Sequence, residues 1–170
     1  MALLSEDDLL ARAARIRCLF LDIDGVLTDG KLYIGPAGEE IKTNFVRDGY
    51  GIKQALKHGL HVAVISGRPS ESMRARLSFL GVQHIALDTE DKEPAYERIC
   101  AELGVSDDEC AHVGDDVPDL PLLRRVSLAM TVADAHPSAL AAAHWVSRCT
   151  GGHGAVREAI DLILAARGTH

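Results

Sequence analysis

Hydrophobic positions along this chain gather in short solid blocks, each ending abruptly at a polar residue or a glycine. The block that starts at Ile16 and runs through Cys18-Leu19-Phe20-Leu21 breaks into Asp22-Ile23-Asp24-Gly25. HVAVI at residues 61–65 opens into Ser66-Gly67-Arg68-Pro69, and the block from Cys110 ends in Gly114-Asp115-Asp116. Unbroken apolar runs of this length suit strands covered on both faces, as in a parallel sheet. Further strands are expected near residues 84–87, at residues 126–130 and near Trp145.

Capping residues mark helices between these blocks. Ser5 followed by Glu6, Asp7 and Asp8 predicts a helix through about Arg15. Asp48 reads as the N-cap of a helix ending at Gly59, and Asp91 as the cap of one running to Leu103 and Gly104. Other helices are expected before Gly81, beyond Asp119, from Pro137 and over residues 155–166. In residues 31–45, KLYIG and EEIKTNF flank Gly35-Pro36-Ala37-Gly38, a β-hairpin signal. Strands alternate with helices almost throughout, so the fold class expected is α/β, a doubly wound, Rossmann-like parallel sheet with a small β-hairpin insertion. No repeat, linker or low-complexity segment interrupts it. One domain over residues 1–170 is expected, with the hairpin at about 31–45 and a tail at about 150–170.

Composition narrows the partners. A formal net charge of −7 and no basic stripe argue against nucleic acid, while leaving room for a small phosphorylated substrate. No apolar run approaches membrane-spanning length, and the N-terminus lacks a signal-peptide pattern. Cys18, Cys100, Cys110 and Cys149 form no CxxC or pairing framework, which suits buried thiols in a reducing cytoplasm.

The chemistry lies at the strand ends. Asp22/Asp24, Ser66 and Asp115/Asp116 each follow an expected strand, and Lys92 opens an expected helix. Parallel strands end at one rim, so these groups can converge although they are far apart in sequence. Carboxylates from two strand ends make a hard oxygen site suited to Mg²⁺. A lysine and a serine hydroxyl beside it would hold phosphate oxygens, and the whole suits phosphoryl transfer. Asp22 is the natural nucleophile, forming an aspartyl phosphate, and Asp24 can protonate the leaving alkoxide and then accept a proton from water. A single Asp after a strand is commonly only a cap or turn former. The joint occurrence of DxDGxxTD, SGR, a spaced lysine and GDDxxD is what carries the reading.

Asp22-Ile23-Asp24-Gly25-Val26-Leu27-Thr28-Asp29, Ser66, Lys92 and Gly114-Asp115-Asp116 resemble the four motifs of the haloacid dehalogenase superfamily. Within it the chain is similar, over about residues 17–164, to the small 3-deoxy-D-manno-octulosonate 8-phosphate phosphatases. That likeness includes GEE at 38–40, VRDGYGIK at 46–53, VADAHP at 132–137 and GGHGAVRE at 151–158. The chain departs from the family in Asn44 preceding Phe45, and in LDTED at 87–91, more acidic than the usual glycine- or glutamine-containing stretch.

The resemblance implies Asp22, Asp24, Ser66 and Lys92 as catalytic residues. It implies Mg²⁺ as cofactor, held by Asp22, the Asp24 carbonyl and Asp115, with Asp116 and Asp119 supporting that site. Val46, Arg47, Asp48, Gly49, Lys53, Arg68 and Arg76 would contact substrate alongside Asp24 and Lys92. An arginine fork is apt for a sugar-acid phosphate. Larger superfamily members close the site with a cap domain, and here only the hairpin stands in its place. The resemblance therefore implies a homotetramer with active sites completed by neighbouring subunits, and the glycine-rich tail is expected to close over an adjacent subunit's substrate.

The activity implied is release of phosphate from 3-deoxy-D-manno-octulosonate 8-phosphate in lipopolysaccharide precursor synthesis. The rivals are a nine-carbon sialic-acid-type phosphate as substrate, a non-catalytic oligomerising module of the same fold, and a phosphoacceptor with a similar acidic rim.

Overall fold

A computed structural model describes residues 3–169; residues 1, 2 and 170, at the ends of the expected domain and tail, lie outside the described residues. The apolar blocks become strands of one six-stranded sheet. These are β1 (Cys18–Leu21), β4 (His61–Ile65), β5 (His84–Ala86), β6 (Cys110–Val113), β7 (Leu128–Thr131) and β8 (Trp145–Val146), ordered β5-β4-β1-β6-β7-β8. Every neighbouring pair in it is parallel. The order reverses at β1, which lies between β4 and β6, and an open α/β sheet forms its ligand crevice beyond such a point. The fold is the doubly wound α/β sheet expected, and the hairpin of β2 (Tyr33–Ile34) and β3 (Glu40–Ile41) stands apart as a two-stranded antiparallel ribbon.

The solid blocks are needed because the sheet is flanked by helices. Every residue of β1, β6 and β7 is buried. The helices are α1 (Glu6–Ala13), α2 (Val46–Lys57), α3 (Glu71–Leu80), α4 (Lys92–Leu103), α5 (Leu120–Arg125), α6 (Pro137–Ala142) and α7 (Ala155–Ala166). They pack in two sets, α1–α7–α2–α3 and α4–α5–α6. Several ends follow the expected signals. Ser5 and Asp91 cap α1 and α4 with their side chains, and Gly81 and Gly104 close α3 and α4 in the left-handed conformation.

The expected hairpin forms with short strands, and one expectation, the cap role of Asp48, needs correcting. The hairpin strands are only two residues long, and all four residues are exposed, because no layer covers them. Asp48 is not the cap of its own helix. α2 begins at Val46 with Phe45 in the cap position, and the buried Asp48 carboxylate turns to α7. There it accepts hydrogen bonds from the backbone N–H of Gly154 at 3.3 Å and Arg157 at 2.7 Å. The GGHG stretch before α7 offers no side-chain cap, so a remote acid serves the free N–H groups.

The glycine-rich tail is seated on its own chain. Gly152 N–H donates to the Val26 carbonyl at 2.9 Å, and α7 packs on α2 and α1. A side chain at Gly151 would run into the Gly25 carbonyl, so glycine is required for this approach.

Candidate active site

The chain leaves the buried centre of the sheet at Asp22, immediately after β1, with its N–H bonded to the Val113 carbonyl of β6. The turn that follows is held by Thr28, whose buried hydroxyl donates to the Ile23 carbonyl and accepts from the N–H groups of Gly25 and Gly30. Gly25 has φ +87°, and a Cβ there would collide with the Asp115 carboxylate, so the β1 and β6 loops lie directly against one another. Ser66 follows β4 and Asp115 follows Gly114 beyond β6. Lys92, the first residue of α4, reaches under this rim.

The buried Lys92 ammonium lies 2.9 Å from Asp22 Oδ1 and 2.6 Å from Asp119 Oδ1. Burial alone would lower its pKa, but the two carboxylates outweigh that and raise it, so the lysine stays charged. Asp119 also lies 3.0 Å from His112 Nε2, and its other oxygen accepts from the N–H groups of Asp115 and Asp116. Burial pushes the Asp119 carboxyl up, but His112 and Lys92 hold it well below the usual carboxylate range. His112 is fully buried on β6, with Nδ1 3.3 Å from the Phe20 carbonyl. Asp119 thus ties β6, its loop and Lys92 together, an orienting role that its place in GDDxxD only hinted at.

The neighbouring acids are less well compensated. Burial and the Asp119 charge push Asp22 up to about 6 despite Lys92. Burial, with Asp22, Asp119 and Asp116 adding like charge, pushes Asp115 up to about 8. Asp22, Asp115 and Asp119 each present an oxygen within 4.8 Å of the others. Crowded hard oxygens with too little positive charge fit a divalent cation. Because Asp119 already serves Lys92, His112 and two backbone N–H groups, Asp22 and Asp115 are the carboxylates best placed to take the metal. Asp116 stands outside the cluster. Its side chain is exposed and accepts from Val117 N–H at the start of a short 3-10 turn.

These groups line a pocket of about 250 Å³ that holds Asp22, Asp24, Ser66, Arg68, Lys92, Asp115, Asp116 and Asp119. Of the residues expected to contact substrate, Asp24, Arg68 and Lys92 are there. Val46, Arg47, Asp48, Gly49, Lys53 and Arg76 are not. Val46 is exposed, and Lys53 and Arg76 lie 4.7 and 5.8 Å from the centre of the exposed Phe79 ring. Arg47 lies over Phe45, bordering a larger cavity of about 460 Å³ against α7. That cavity holds no comparable acid cluster; its acids Glu158 and Asp161 are paired with Arg148 and Arg157.

One site group escaped the sequence reading. Lys42, just beyond β3, sends its ammonium to Asp24, 2.7 Å from Oδ1 and donating to Oδ2 at 2.8 Å. Arg68 adds a second cation 3.9 Å from Asp24 and bonds Glu40 of β3 at 2.7 Å. The only signal was the alternation Glu40-Ile41-Lys42, which puts both charged residues on one side of the ribbon.

Comparison with known proteins places this geometry in context. Residues 85–160 match the profile of the haloacid dehalogenase-like hydrolases. The 3-deoxy-D-manno-octulosonate 8-phosphate phosphatase of Yersinia pestis is 45% identical over 161 residues, 95% of this chain and 86% of that protein. Its counterpart from Escherichia coli K12 is 44% identical over the same shares. The crystal structure of the Yersinia pestis phosphatase superposes with a TM-score of 0.94, covering 95% of this chain and 88% of that one. A Moraxella catarrhalis phosphatase, crystallised with a magnesium ion, a phosphate ion and a KDO molecule, is 33% identical with a TM-score of 0.94, covering 96% and 94%.

Proposed function

From the premise that this chain belongs to the 3-deoxy-D-manno-octulosonate 8-phosphate phosphatases of the haloacid dehalogenase-like hydrolases, and is a phosphoric monoester hydrolase, we propose how its pocket works and on what. The substrate is 3-deoxy-D-manno-octulosonate 8-phosphate, cleaved to the free sugar acid and phosphate in the cytoplasm as a step toward lipopolysaccharide. The observation that carries the mechanism is the Asp22 carboxylate at the end of β1, 2.9 Å from the Lys92 ammonium and beside Asp24 in one pocket.

Asp22 attacks phosphorus, and the bond from phosphorus to the sugar oxygen breaks. Asp24 gives its proton to the departing alkoxide. An aspartyl phosphate remains on Asp22, and Asp24 then takes a proton from the water that attacks it, restoring Asp22 and releasing phosphate. Ser66 and Lys92 hold the phosphoryl oxygens through both steps. Asp22, Asp115 and the Asp24 carbonyl would hold Mg²⁺, with Asp116 at the edge of that site; when bound, the ion supplies the positive charge that lets an anionic nucleophile meet an anionic phosphate.

The substrate's carboxylate end needs cations, and in the pocket of one chain Arg68 is paired with Glu40 and Lys92 with Asp22 and Asp119. We assign them to a neighbouring copy. Leu32, Tyr33, Ile34 and Ile41 leave an apolar hairpin face in water, and a two-stranded ribbon is marginal alone. Burying those faces together in a homotetramer would bring Val46, Arg47, Gly49, Lys53 and Arg76 of one subunit toward the pocket of the next. Buried Asp48 would then serve the site by holding α2 and α7 in place.

The test is phosphate release with Mg²⁺ from the eight-carbon acid phosphate and from a nine-carbon sialic-acid-type 9-phosphate, with Asp22→Asn as control. A strong eight-carbon preference that the control abolishes supports the proposal. Preference for the nine-carbon compound would move the substrate and keep the mechanism. Release from neither would leave a non-catalytic module of the same fold.

A further inference from the structure

Lys42 lies on a ribbon otherwise given to water. Glu40, Ile41 and Thr43 around it are exposed, yet its own side chain is only 1% accessible. A lysine is almost never buried so fully unless its ammonium is paired. The partner is Asp24, whose Oδ2 accepts its hydrogen bond at 2.8 Å while Oδ1 lies 2.7 Å away.

Asp24 has little else to hold it. Among the described residues its carboxylate receives no backbone N–H and no hydroxyl, and its other cation, Arg68, stands 3.9 Å away while committed to Glu40. Asp22 differs, since the Ile23 N–H and the Lys92 ammonium both fix it. The orientation of Asp24 therefore comes from the hairpin rather than from the sheet. We infer that Lys42 is a positioning residue for proton delivery, aiming the Asp24 carboxyl at the leaving oxygen of the substrate. This inference rests on the proposed reading of Asp24 as the proton donor. Without Lys42 the carboxyl can turn about its side-chain bonds or swing toward Arg68, and the proton then has no fixed path.

A leaving-group comparison tests this separately from folding. A primary alkoxide needs a proton as it departs, whereas a nitrophenolate leaves without one. The quantity to read is kcat/KM, which covers only the steps up to departure of the leaving group and is blind to later hydrolysis of the aspartyl phosphate. Full-length protein with Mg²⁺ is assayed on the sugar-acid phosphate and on p-nitrophenyl phosphate, as wild type, Asp24→Asn, Lys42→Met and Lys42→Arg.

Proton donation typically contributes on the order of 10²-fold or more, and Asp24→Asn should lose that on the alkyl ester alone. Lys42→Met should lose at least about tenfold on the alkyl ester and less than about twofold on the aryl ester, and Lys42→Arg should recover most of the loss. The unchanged aryl rate certifies an intact pocket. Equal losses of Lys42→Met on both esters, or no loss on the alkyl ester, would overturn the role of Lys42. Equal losses in Asp24→Asn would overturn the reading of Asp24 itself, and the inference with it.

Discussion

Asp48 is buried and Asp115 half-buried, and their surroundings answer that loss of water in opposite ways. Asp48 faces the start of α7, where the N–H groups of Gly154 and Arg157 bond its oxygens and offset part of the burial that raises its pKa. Asp115 faces Asp22, Asp119 and Asp116, and among the described residues no group donates to its carboxylate. A carboxylate matched by fixed donors joins two parts of the fold. One crowded by its own kind leaves room for a cation that the chain itself does not provide. An acid that holds the fold together is thus told from one crowded by its own kind without reference to where either lies in the sequence.

The largest effect that can break this distinction is on turnover. Asp22→Asn should lower kcat/KM by about 10³-fold or more, since the proposed nucleophile is gone, while the melting temperature holds because a repelling charge is removed with it. Steady-state assay and a thermal melt of the same sample check both halves. Asp48→Ala should do the reverse kind of damage. Losing the cap of α7 should cost about 1–3 kcal/mol in urea unfolding, and a loss well under that range would show that α7 does not depend on it.

A smaller effect sharpens the functional half. Asp115 binds its proton in the folded protein up to about pH 8 but gives it up near pH 4 when unfolded, so metal-free stability falls as pH rises across that window. Asp22, raised to about 6, acts in the same direction over the lower part. Mg²⁺ competes with those protons, and it should raise the melting temperature more at pH 8 than at pH 5. The Mg²⁺ increment is the quantity to follow, because His61 and His144, whose pKa values burial lowers, tilt the bare curve the other way. An increment equal at both pH values would contradict the crowding described for Asp115.

The smallest effect belongs to an acid that never left water. Asp161 pairs with Arg157 one turn away on α7, and Asp161→Asn should change stability by less than about 0.5 kcal/mol.

Much of this was legible in the chain because local rules decide it. The residues 61–65 block became β4 with the same bounds, and residues 155–166 became α7, since the local apolar pattern and the glycines beside it mark both. The convergence of Asp22, Ser66, Lys92 and Asp115 was also legible, because a parallel sheet puts all strand ends at one rim. What escaped depends on contacts between remote segments. Asp48 looks like the cap of the helix it precedes, and only the folded chain reveals that it caps another. Lys42 reads as one more charge on a hairpin until the ribbon folds over Asp24. The acidic stretch at 87–91 holds another instance. Asp88 adopts φ +58°, a left-handed conformation that glycine accepts most readily, where the resembling family usually carries a glycine- or glutamine-containing segment.

The contact of Gly151 and Gly152 with the turn after β1 has a consequence for biosynthesis. Asp22 and the turn after it are made well before Gly151 and Gly152, the residues that back that turn. The acidic rim lacks that support until the two glycines have left the ribosome and docked. The rim is therefore braced only after all six strands of the sheet have been made, and a chain stalled or clipped short of the glycines would display the motif set of those strands while leaving their first turn unbraced.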